Sequence, residues 1–89
     1  MALWKLLVEG IAELQFFQVV VVQAGSVEEA VAGVRDYLQR DGCRLVAVLE
    51  DETRVVSLQD IPPDWPRSTS SEEAVVAATG RIWFKPEDA

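Results

Sequence analysis

The chain of 89 residues contains no histidine and one cysteine, Cys43. That removes the commonest general base, the Ser-His and Cys-His nucleophile pairs, and the usual zinc ligand. Cys43 opens an apolar run, where a lone cysteine reads as a small buried hydrophobe rather than a nucleophile. A single cysteine forms no intrachain disulfide, and a reducing cytoplasm is the compartment this suggests. The five glycines, at positions 10, 25, 33, 42 and 80, follow neither a phosphate-loop nor a dinucleotide spacing.

Carboxylates are the remaining chemistry. Glu50-Asp51-Glu52 offers the hard oxygens that calcium and magnesium prefer, but three consecutive residues of an extended chain do not converge on one point. They read as a solvated turn that discourages edge pairing. Glu28-Glu29 and Glu72-Glu73 stand at helix starts, where negative charge offsets the positive end of the helix dipole. No catalytic residue, metal or cofactor is expected, and the chain reads as a non-enzyme. Recognition falls to Trp65, within the loop sequence Pro-Asp-Trp-Pro, and to Asp51 and Glu52 at a predicted hairpin tip. Tryptophan is enriched at the energetic centres of interfaces, and loops carry function more often than strands do. Trp4 and Trp83 are expected in the core.

Fifteen acidic residues against eight basic ones give a net charge of −7; the acidic residues are scattered along the chain rather than gathered in a tail, and the basic ones form no cluster. Nucleic-acid affinity needs grouped Lys or Arg on phosphates, so nucleic acid is not an expected partner. The same field repels an anionic membrane and attracts a basic protein. The longest greasy run, Phe16 to Val22, includes Gln18 and is too short to span a bilayer as a helix. Lys5 and Glu9 interrupt the apolar N-terminus, so no signal peptide is indicated. With 49% hydrophobic and 26% charged residues, the sequence suits one folded domain over 1–89.

The elements follow from periodicity. Leu3 to Val8 predicts a first strand ending at Glu9-Gly10. Gln15 to Ala24 is rich in β-branched and aromatic residues and apolar on both sides, which predicts a strand buried within a sheet. Ser26-Val27-Glu28-Glu29 is a capping box, and Val27, Ala30, Val31, Val34, Tyr37 and Leu38 recur at helical spacing until Gly42. Cys43–Glu50 predicts a second two-sided strand, with Asp51-Glu52-Thr53 as a hairpin loop and Arg54–Gln59 returning antiparallel. Three prolines make 60–71 an irregular surface loop. Ser70 and Glu73 can cap a short helix over Ala74–Thr79, although Val75 and Val76 suit a strand equally well. Arg81–Lys85 predicts a closing strand, and 86–89 a polar tail.

From Gln15 onward this order is βαββαβ, so the expected architecture is a two-layer ferredoxin-like α+β sandwich, mainly antiparallel, with an additional N-terminal strand. The Val27–Leu38 helix covers roughly two strands of one face. The second face needs a cover, from the Trp65 loop or from a second subunit, and a homodimer is the expected assembly. The function expected is a non-enzymatic protein-binding or assembly module. One alternative is an acidic inhibitor or immunity-type protein that neutralises a basic enzyme. The other is a small-molecule sensor, or an enzyme of the dimeric α/β-barrel kind, using Arg44, Arg54, Tyr37 or carboxylates on the uncovered face.

Overall fold

The computed structural model describes residues 2–67 and 74–84. Its spine is a long hairpin of two ten-residue strands, β1 (Ala2–Ile11) and β2 (Gln15–Ala24). They pair antiparallel in unbroken register from Ala2 opposite Ala24 to Ile11 opposite Gln15. The valines of β2 suit this pleated, doubly flanked position because their χ1 angles are already restricted.

Helix α1 (Val27–Arg40) follows directly. Ser26 caps it by accepting the Glu29 backbone N–H at 3.2 Å, while the Glu29 carboxylate accepts the Gly25 N–H at 2.9 Å. The reciprocal bond thus reaches one residue further back than in the usual capping box. Gly42, at φ +76°, ends the helix in the left-handed region that favours glycine.

The sheet departs from the expected βαββαβ order. The N-terminal strand is not an addition but the centre of the sheet, and each side of the hairpin carries two short strands placed end to end. On the β1 side, β3 (Arg44–Val48) pairs with Val8–Ile11 and β4 (Arg54–Val56) with Leu3–Lys5. On the β2 side, β5 (Val75–Ala78) pairs with Val20–Val22 and β6 (Ile82–Phe84) with Gln15–Phe17. Cys43–Glu50 and Arg54–Gln59 therefore form no hairpin. Glu50–Glu52 is instead a 3-10 turn linking two strands that both run antiparallel to β1. The reason lies in β1 itself, whose ten positions give both short strands a partner.

The strand expected to be central, Cys43–Glu50, is an outer strand shortened to Arg44–Val48. Leu45 and Val48 pack toward the helix, whereas Val46 falls in the irregular stretch of the ladder opposite Glu9 and Gly10 and is 47% exposed. Between helix and strand over Ala74–Thr79, the sheet takes Val75–Ala78, whose Val75, Ala77 and Ala78 are buried. The proposed cap Ser70–Glu73, Lys85 and the tail 86–89 lie outside the described residues.

Seen whole, the sheet is two four-stranded halves sharing one hairpin. One half is β4-β1-β2-β5, and the other, at the β1–β2 turn, is β3-β1-β2-β6. On the first face, Ala30, Val34 and Leu38 of α1 bury Leu6, Val8, Phe16, Val20 and Val22. Trp4 packs against this core and donates its indole N–H to the Ala24 carbonyl at 3.3 Å. On the second face a smaller cluster joins Val21, Ile61 and Ala77 with Leu3, Val56, Trp65 and Val76.

Candidate functional site

Among the described residues the second face is closed over one half. After β4, the 3-10 turn Leu58–Asp60 folds the chain beneath the sheet. The Ser57 backbone N–H and hydroxyl both donate to Asp60 Oδ2, at 2.9 and 3.1 Å. These bonds stabilise the Asp60 carboxylate and hold its pKa below the ordinary 3.8, with Lys5 adding a smaller electrostatic pull. Ile61 and Trp65 then cover the β4-β1-β2-β5 half. The Lys5 ammonium sits 5.8 Å from the Trp65 ring centroid, within cation–π range. Arg67 donates to the carbonyls of Ile61 and Pro62 at 3.4 Å and ties the loop's end back to its start.

The other half has no such cover among the described residues. Register places Leu7, Glu9 and Ile11 of β1 on that face with Gln15, Phe17 and Val19 of β2. Ile82 and Phe84 of β6 extend it, since they stand opposite Phe17 and Gln15. The Phe17 and Phe84 rings are stacked, 5.3 Å between centroids, and Ile82 is 70% exposed. Beyond Leu7 the patch runs into a shallow hollow of about 570 Å³ lined by Leu7, Val48, Leu49, Glu50, Asp51 and Glu52. Glu52 pairs with Arg54 at 3.3 Å, both side chains more than half exposed. Glu9, Glu50 and Asp51 have no ion-pair partner among the described residues. Glu9 Oε2 accepts a hydrogen bond from Gln15 Nε2 at 3.5 Å.

The three residues singled out for recognition separate into two groups. Asp51 and Glu52 rim the hollow at the open half, whereas Trp65 is engaged within the chain under the closed half. Trp83, expected in the core, is 47% exposed at the edge, with its ring 4.9 Å from Phe16. Sequence reasoning passed over Leu7, Glu9, Phe17 and Ile82. The signal of the first three is the odd-numbered alternation along the first two strands, which becomes readable as one face only when β1 is known to pair with β2 along its whole length; Ile82 joins them through its pairing with Phe17.

The groups expected of a small-molecule site, Arg44, Arg54 and Tyr37, are not brought together. Arg44 borders a hollow at the turn end with Glu13 and Trp83, Tyr37 lines another with Arg67 and Thr79, and Arg54 is spent on Glu52. Cys43 is buried and its Sγ–H donates to the Asp41 carbonyl at 3.7 Å. Among the described residues no group of three or more Cys, Asp or Glu could hold a metal ion, and no helix is long and apolar enough to cross a membrane. The chain matches no protein-family model, no curated protein and no solved structure.

Proposed function

We propose that this chain is a non-enzymatic protein-binding module that engages its partner through the open half of the second sheet face. The observation that carries the reading is the contrast between the two halves. The same hairpin is closed by Ile61 and Trp65 at one end and presents Leu7, Phe17, Val19, Ile82 and Phe84 at the other. A contiguous apolar patch on so small a domain is costly to leave in water, and such patches mark interaction sites. The stacked Phe17–Phe84 pair supplies the large, rigid contact area from which interface anchors are made.

A photo-reactive phenylalanine analogue at Ile82, compared with one at the exposed Gln39 on α1, tests this in native lysate. Irradiation should give a discrete protein adduct from position 82 and none from position 39. Absence of an adduct at 82, or the same adducts from both positions, refutes the reading.

A further inference from the structure

The open half carries a charge pattern that bears on who the partner is. Resting on the protein-binding reading above, we infer that the partner is a basic protein that seats a lysine or arginine in the hollow between Leu7, Val48 and Leu49 and the Glu50–Glu52 turn, while its neighbouring apolar residues cover Phe17 and Ile82.

Three observations converge on that occupant. The hollow pairs an apolar floor with an acidic rim, which matches a side chain with an aliphatic stem and a cationic head. Glu50 and Asp51 on that rim have no ion-pair partner among the described residues, so their charge is available to an incoming cation. Glu9 stands within the apolar patch, between Leu7 and Ile11 on β1 and opposite Phe17 on β2. A covering surface that offers no cation there buries an uncompensated carboxylate, which is expensive. A partner carrying Lys or Arg turns the same carboxylate into a source of specificity, and the net charge of −7 steers such a partner inward.

The test uses isotope-labelled full-length protein and two synthetic ten-residue strand peptides, one alternating Val with Lys and the other Val with Glu. The Val-Lys peptide should shift the amide resonances of Leu7, Glu9, Phe17 and Leu49–Glu52, and its affinity should fall about tenfold or more between 50 and 500 mM salt. The Val-Glu peptide should shift none of them. In the exposed-turn double variant Glu50→Lys/Asp51→Lys the preference between the peptides should reverse. No binding of the Val-Lys peptide, shifts located elsewhere, salt-independent affinity or an unreversed preference overturns the inference. So does a position-82 adduct with the mass of two copies of this chain, an outcome that leaves the protein-binding reading standing. Absence of any adduct at position 82 removes that reading itself.

Discussion

The ring of Phe16 lies directly over Gly10 on the neighbouring strand, so close that a Cβ on Gly10 would fall far inside van der Waals contact with three ring atoms. Phe16 is completely buried, with Trp83 against its ring and the Arg81 guanidinium 5.0 Å from its centroid. Glycine at position 10 is thus what lets a large aromatic occupy the core within the β3-β1-β2-β6 half. Gly10→Ala should destabilise the domain by roughly 1–3 kcal/mol through overpacking, read as a lower midpoint in urea. Restoring stability with the second change Phe16→Leu would confirm that the ring is the cause. An alanine variant as stable as the parent would refute it.

Arg81 ties the end of α1 to β2. Its guanidinium donates to Asp41 Oδ2 at 2.7 Å beyond the end of α1 and to Gln18 Oε1 at 3.3 Å on β2. Gln18 is 4% exposed and also donates its amide N–H to the Thr79 carbonyl at 2.8 Å. Replacing Arg81 by Met keeps the stem over Phe16 but orphans the buried Gln18 oxygen, at a cost of about 1–3 kcal/mol. Asp41→Asn removes only a half-exposed partner and should cost under about 1 kcal/mol. Equal losses from the two variants, measured by denaturant titration, would show that Gln18 does not depend on Arg81.

The loop closing the second face should loosen in acid. Asp60 has its pKa lowered in the folded chain, first by the Ser57 backbone N–H and then by the Ser57 hydroxyl. A depressed carboxylate pKa contributes stability that is complete above the unfolded value and is lost as pH falls through the folded one. The window therefore opens just below 3.8 and extends downward. Carbon-detected titration should place the Asp60 midpoint below 3.8, and Ser57→Ala should raise it toward that value. An unchanged midpoint in the variant would refute the assignment of cause.

Local signals in this chain were legible where they are physically local. β2 has the bounds its β-branched run indicated, Gln15–Ala24, and α1 begins behind Ser26 and ends before a left-handed Gly42. What could not be read was pairing. Arg44–Val48 and Arg54–Val56 look like the two arms of a hairpin because three polar residues lie near their junction, yet each finds more partners along the far longer β1. Gly10 does not end the first strand but lies within it, and the space a side chain would need there is filled by Phe16. The same error of pairing hid the candidate site. Asp51 and Glu52 were noticed as an acidic turn, but Leu7, Glu9 and Phe17 belong together only across strands, and no spacing along the chain expresses that.

The end-to-end arrangement of the outer strands has a consequence for how sequence change can be absorbed. Because neither outer rail is continuous, the ladders of Arg44–Val48 and Ile82–Phe84 share no residue of β1 or β2 with those of Arg54–Val56 and Val75–Ala78 at the opposite end. The Trp65 end adds its own small core on the second face. Loss of one short ladder therefore leaves the backbone pairing partners of the others in place.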